Sequence, residues 1–198
     1  MAGENLTRTR IIDAAFATFG ARGYEQTSML EIATRAKVSK RELYALVGNK
    51  HDMLVACITE RAGRMRPPDD LPEPQDRASL IEALATLGEH VLIEVTDPVV
   101  VGVFRLAIAE AERAPEIAQA LDSIGRVAAR KALETLFETA QARGLVTGDP
   151  AELARLFLVL LWSDLMIGLL LGLAKAPSPT EARQRAHAAA NALVKLQG

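Results

Sequence analysis

Two helix starts lying eleven residues apart constrain this chain more than anything else in it. Ser28-Met29-Leu30-Glu31 and Ser39-Lys40-Arg41-Glu42 each place Glu three residues after Ser. In such a box the Ser oxygen accepts the N–H three residues on. The Glu carboxylate reaches back to the Ser N–H, beside the positive end of the helix dipole. The spacing leaves room for one short helix, 28 to about 35, a turn at Ala36-Lys37-Val38, and a second helix from Ser39. Leu30, Ile32, Ala33, Val38, Leu43 and Leu46 supply the apolar positions, with small Ala33 where two steeply crossed helices approach closely. This is the pattern of a helix-turn-helix. A recognition helix enters the DNA major groove N-terminus first, so base-reading side chains belong in its first turns. Those turns carry Lys40, Arg41 and Tyr44, and Lys and Arg suit guanine O6/N7 and phosphate. A surface hairpin of helices with solvated charges has the same spacing, and spacing alone does not separate the two.

The wider stretch does. From Arg8 to Leu54 the chain carries Ile12, Ala15, Phe19, Gly23, Tyr24, Thr27, Ser28, Ile32, Ala33, Val38, Ser39, Leu43, Tyr44, Lys50 and Leu54 in one register. In that register it resembles the DNA-binding domain of the TetR family of bacterial transcriptional regulators. The resemblance implies a DNA-binding set of Thr27, Ser28, Ser39, Lys40, Arg41, Tyr44 and Lys50, with Thr27 and Lys50 on the phosphate backbone. Three departures stand out. Lys37 replaces the usual turn glycine, where a left-handed backbone would cost a non-Gly residue about 1 kcal/mol. Leu46-Val47 replace the usual aromatic pair after the recognition helix, and Lys40-Arg41-Glu42 replace small residues.

Charge is distributed to match. Residues 1–66 hold 11 Lys+Arg and 7 Asp+Glu, a net of +4, and residues 67–198 hold 12 and 18, a net of −6. A basic N-terminal part beside an acidic remainder suits one DNA-binding face on an otherwise repelled body. Aromatic residues are few and Ala and Leu dominate, which favours packed helices over strands. The single cysteine, Cys57, excludes an internal disulfide and suits a reducing cytoplasm. The N-terminal MAGENLTRTR has no apolar core of a secretory signal.

Helix-period stripes predict an all-α chain of about nine helices. The first runs from Leu6 or Thr7 to Ala21, with Ile12, Ala15, Phe16 and Phe19 inward. Helix 4 runs from Lys50 to about Arg66, with Met53, Leu54, Cys57 and Ile58 inward. The Pro- and Asp-rich segment Arg66–Gln75 ends it and marks a boundary. A DNA-binding domain is thus expected over 1–50, linked through helix 4 to about 66, and an effector-binding and dimerisation domain over 67–198. Further helices are expected at 76–95, 98–114, 115–143, 151–173 and 180–196, the last beginning at Thr180 without a full capping box. Leu156–Leu173 would span about 27 Å as one helix at about 1.5 Å per residue. Asp164 near its middle argues for a buried soluble helix rather than a membrane span.

Within the body, FRLAIAEAERAPEIAQAL and GLVTGDPAELARLF resemble the C-terminal domain of AefR-type members of the same family. That likeness implies a regulator with an effector domain, and the TetR resemblance as a whole implies a homodimer, usually a repressor, released from a near-palindromic operator by a small ligand, in the bacterial cytoplasm on the nucleoid. The dimer surface is expected on the last two helices, at Leu153, Leu156, Phe157, Leu160, Ala189 and Leu193. Ligand contacts are expected among Leu87, Val91, Phe104, Ile108, Ile124, Trp162, Asp164 and Met166. Asp164, a carboxylate amid apolar residues, needs a partner in the core, the dimer or the ligand. The abundance of Leu, Ile and Val points to an apolar ligand. An enzyme is disfavoured: His51, His90 and His187 are scattered, and no HExxH, paired Cys, GxSxG or phosphate loop occurs. Glu110 and Glu112 read as solvated. No metal or cofactor is implied. A helical ligand-binding protein that has lost DNA binding is the alternative, because of Lys37, Leu46 and Val47.

Overall fold

The computed structural model describes residues 2–63, 68, 71–113 and 115–197. Every regular element in these residues is helical. They are α1 (Ala2–Arg22), α2 (Met29–Ala36), α3 (Lys40–Val47), α4 (Lys50–Gly63), α5 (Arg77–Val95), α6 (Pro98–Ala109) and α7 (Pro115–Ala120). A π-helical turn (Leu121–Arg126) follows, then α8 (Val127–Ala142), α9 (Pro150–Trp162), α10 (Leu165–Leu171) and α11 (Pro179–Leu196). The nine expected helices thus become eleven among the described residues, because two long ones are interrupted. The expected ends of helix 4 at Arg66 and of helix 6 at Ala114 lie outside the described residues, as does part of the loop from Arg66.

Packing gathers the chain into two compact units. One comprises residues 1–64 and 98–125, the other 65–97 and 126–198. By packing, therefore, α6 and α7 go with α1–α4, whereas the boundary read from the sequence near residue 66 placed them with the C-terminal part.

In the first unit α1 is the central element, touching α2, α3, α4 and α6. Its buried face is Ile11, Ile12, Ala15 and Phe19, spaced three and four apart as one helical stripe. Gly20 lets α6 approach: a Cβ there would lie 2.8 Å from a Val99 methyl. Short α2 buries Met29, Ile32, Ala33 and Ala36. Leu30, expected inward, is 62% exposed. The inward stripe begins one residue earlier, and i, i+3, i+4, i+7 from Met29 leaves Leu30 on the opposite side. Glu110, expected to be solvated, is buried at 7% exposure, although Ala109 before it and residues 111–113 after it are exposed.

The second unit is built on α5 and α11, which pack along their lengths, with α9 against α11 and α8 against α5 and α9. Gly88 allows the closest approach. A Cβ on it would lie 3.0 Å from Phe157, 3.2 Å from Ala186 and 3.3 Å from Leu161. Helix α5 starts at a full box between Asp76 and Ser79. Helix α11 starts at a full box between Ser178 and Glu181, with Pro179 in its first turn. This corrects the expected start at Thr180: the cap lies two residues earlier.

The expected helix over 151–173 is broken. Ser163 adopts φ 44°, a conformation that L side chains rarely take, and α9 and α10 meet at a bend of 53°. No single helix among the described residues is long and apolar enough to cross a membrane. Arg185 holds the break, its guanidinium donating to the Leu161 and Trp162 carbonyls at 3.3 Å each. These are two of the orphan acceptors at a helix C-terminus.

Candidate nucleic-acid interface

The two Ser-x-x-Glu motifs form as caps but not as full boxes. Ser28 Oγ accepts from the Glu31 N–H and Ser39 Oγ from the Glu42 N–H, each at 3.1 Å. Glu31 does not turn back to Ser28; its carboxylate pairs with Arg22 of α1 at 2.8 Å. Between the caps, Lys37 takes φ 54° and ψ 47°, the left-handed conformation expected of the turn position. Its N–H donates to Thr34, and the Val38 N–H donates to Ala33 at 3.0 Å, closing α2.

Helix α3 has two faces. Leu43 is fully buried, and Leu46 and Val47 pack partly buried against the same core. Full burial of one Leu is worth about 1.5–3 kcal/mol. Opposite them Ser39, Lys40, Arg41 and Tyr44 are exposed. The Lys40 ammonium lies 5.8 Å from the centre of the Tyr44 ring. This surface presents two cations, a phenol and a hydroxyl within the first turns of a short helix, the side chains that can contact phosphate oxygens and base edges. Leu46 and Val47 thus fill core space where the family pattern carries an aromatic pair.

Two members of the expected DNA-binding set face elsewhere. Thr27 is 2% exposed, and its hydroxyl donates to the Gly23 carbonyl at 2.7 Å. Its N–H donates to the Tyr24 carbonyl at 3.1 Å. Both groups expected on a phosphate close the α1–α2 corner instead. Lys50 is half-buried, with Nζ 4.4 Å from the centre of the Tyr24 ring and donating to the Glu25 carbonyl at 3.2 Å. Gly48 and Asn49 do more than separate α3 from α4. Asn49 in fact caps α4: its Oδ1 accepts from the His51 and Asp52 N–H groups at 2.8 and 3.0 Å, and Asp52 accepts from the Asn49 N–H at 2.9 Å. Asn followed three residues on by an acid was the legible sign.

Residues 11–57 match the family model of bacterial regulatory proteins of the tetR family. Residues 82–196, more than half of the chain, match the C-terminal domain of AefR-like transcriptional repressors. The chain belongs to the TetR family. A search of curated proteins returned no match. Solved TetR-family structures align over nearly the whole chain. One from Mesorhizobium loti, assigned to the TetR-family transcriptional regulators, has a TM-score of 0.81 at 27% identity, covering 98% of each chain. A TetR transcriptional regulator from Agrobacterium tumefaciens has 0.81 at 26%, covering 96% of this chain and 94% of its own. The flavonoid-responsive regulator FrrA has 0.73 at 28%, covering 97% of each.

The residues expected to touch a ligand are dispersed. Leu87 and Val91 are buried on α5 in the second unit. In the first unit Phe104 and Ile124 pack partly buried on the core, and Ile108 is 61% exposed. Trp162 and Met166, both half-buried, flank the α9–α10 break. Asp164, expected amid apolar side chains, is outside: its carboxylate is 91% exposed and 3.9 Å from Arg185. The break turns it out, so it carries no desolvation to be compensated. Of the expected dimer residues, Leu153, Phe157, Ala189 and Leu193 are buried in the chain's own core, while Leu156 and Leu160 are half-buried. Beside them an open groove is lined by Leu160, Gln184, Arg185, Ala188 and Ala192. The spacing of 184, 188 and 192 on α11 was the sign of this face.

Proposed function

We propose that this TetR-family protein is a dimeric repressor that holds a near-palindromic operator and leaves it when a small apolar ligand binds its C-terminal region. The observation that carries the reading is α3, whose one face is core and whose other offers Ser39, Lys40, Arg41 and Tyr44 to solvent. Two such helices in a dimer would read half-sites about 34–36 Å apart. Ser28, exposed at the start of α2, is placed to donate to a phosphate. The functional division is a DNA-binding head over 1–50, joined by α4 to an effector and dimer region from 67 to 198. The dimer face is α9 with α11, at Leu156, Val159, Leu160, Ala188 and Ala192, where small residues let helices approach. Leu87, Val91, Phe104, Ile124, Trp162 and Met166 are the ligand candidates. The flavonoid-responsive neighbour at 28% identity makes flavonoids the first class to screen. By linkage, a ligand that weakens DNA binding is itself weakened by DNA to the same degree. The protein works in the cytoplasm, on the nucleoid.

Footprinting on the DNA flanking the gene, at two salt concentrations, tests this. A protected inverted repeat that is lost in Lys40→Ala/Tyr44→Ala supports it. Thr27, turned inward, and Lys50, engaged by Tyr24 and Glu25, favour one second reading, a ligand-binding protein of the same fold with weak or lost DNA binding. Absence of protection at any salt, on that DNA and on selected random DNA, would overturn the operator-binding reading and make that second reading the leading one.

A further inference from the structure

Lys50 is the first residue of α4, a position where the helix dipole disfavours a cation. Its ammonium is compensated by its own chain, at the surface. The Tyr24 ring lies beneath it at 4.4 Å, and the Glu25 carbonyl accepts from it at 3.2 Å. Tyr24 in turn stacks on Phe19 of α1, with ring centres 5.6 Å apart and planes at 28°. Negative charge surrounds the pair. The Tyr24 hydroxyl is held above its ordinary pKa by burial first, and then by Glu116, Glu25, Asp52 and Glu110. An ammonium so placed has a ring face, a carbonyl and nearby carboxylates to leave before it reaches a phosphate.

What Lys50 fixes lies next to the recognition helix. Only Gly48 and Asn49 separate the end of α3 from Lys50. That link is stiff, because Asn49 and Asp52 hold each other's N–H groups across the start of α4. We propose that Lys50 is a positioning residue: it pins the start of α4 to the α1–α2 corner at Tyr24 and Glu25, and acts on DNA through the orientation of α3 rather than by contacting a phosphate. This rests on the DNA-binding reading above.

The test uses the full-length protein and its footprinted operator, with Lys50→Met, Lys50→Arg, Tyr24→Leu, Tyr24→Phe and the Lys50→Met/Tyr24→Leu double variant. Loss of the pin weakens operator binding about tenfold in Lys50→Met and Tyr24→Leu alike. The double variant is no worse than either single one. Lys50→Arg and Tyr24→Phe keep a cation and a ring, and bind as wild type does. The dependence of log affinity on log salt is unchanged in Lys50→Met. A phosphate contact behaves otherwise: the slope falls by about 0.9 per lysine removed, and the Lys50 and Tyr24 losses multiply. Either of those results overturns the proposal. A readout free of DNA and of variants is the rate of amine acetylation in the wild-type protein, followed by mass spectrometry. Lys50 held on Tyr24 is modified several-fold more slowly than exposed Lys37 and Lys40, and equal rates overturn the pin. Slow modification of Lys50 in a protein that binds no DNA would sink the DNA-binding reading and leave the pin standing.

Discussion

Single residues carry two departures from what their neighbours would choose. Lys37 sits at φ 54°, where its Cβ is strained and glycine is not. Lys37→Gly is expected to raise stability by about 1 kcal/mol, read as a higher urea midpoint at unchanged slope. A stability loss would mean that the lysine side chain contributes more than its backbone costs. Cys57 is fully buried on α4, its thiol donating to the Ile12 carbonyl at 3.6 Å. Burial, with Asp13 adding to it, pushes the thiol from 9.0 up to about 12. An acid whose folded pKa is raised keeps its proton longer in the native state than in the unfolded one. Its contribution is therefore complete below the unfolded value of 9.0 and is lost as pH rises toward about 12. Urea midpoints at pH 8 and pH 10.5 should converge more closely in Cys57→Ala than in wild type, and thiol reagents at pH 8 should label Cys57 only on unfolding. Labelling of the folded protein at the unfolded rate would contradict this account.

Elements meet where side chains are smallest. At Gly88 the α5 backbone comes against Phe157, Leu161 and Ala186, leaving no room for a Cβ without displacement. Gly88→Val is expected to destabilise by about 1–3 kcal/mol through overpacking, measured by chemical denaturation. A neutral result would show that α9 and α11 can move apart freely. The sequence made the helices legible here but not their seams. Apolar periodicity says that α5, α9 and α11 bury a stripe, and it fixed their positions within a few residues. It does not say which glycine is a crossing point. The α9–α10 break was hidden for a related reason. Apart from Ser163-Asp164, Leu156–Leu173 is apolar on nearly every side, so its pattern carries little phase that would reveal a bend. The orphan carbonyls at that bend are met by Arg185, a residue more than twenty positions away.

At the scale of the whole molecule the question is which apolar surface is core and which is left for a partner. Phe157 is fully buried, whereas Val159, two residues on, is 57% exposed. Phe157→Ala should cost about 3–5 kcal/mol of folding stability. Val159→Glu and Ala188→Glu should leave the fold intact by circular dichroism and convert a dimer to monomers in sedimentation velocity. Dimers that persist in both variants would place the interface elsewhere. If α3 holds DNA as proposed, that binding should also fall steeply with salt, as contacts through Lys40 and Arg41 require.

The sequence by itself determined the local and the periodic. Ser28, Ser39, Asp76 and Asp149 start helices because each side chain accepts a nearby N–H, an interaction within a few residues. The stripes of Ile12, Ala15 and Phe19, or of Leu80, Leu84 and Leu87, are set by the helical repeat. The register of family residues from Arg8 to Leu54 placed Lys40, Arg41 and Tyr44 on an exposed face, where they are. Only the tertiary structure decided how ambivalent side chains are used. Thr27 and Lys50 could each serve a phosphate or their own chain; in this fold Thr27 turns inward to the Gly23 carbonyl, and Lys50 lies at the surface on the Glu25 carbonyl and the Tyr24 ring. Asp164 could be buried or solvated, and the bend at Ser163 put it in water. Lys50, and the Arg185 that holds the bend beside Asp164, reach partners more than twenty positions away, whereas Thr27 turns to a carbonyl only four residues back, a choice made by the folded corner and not by residue type.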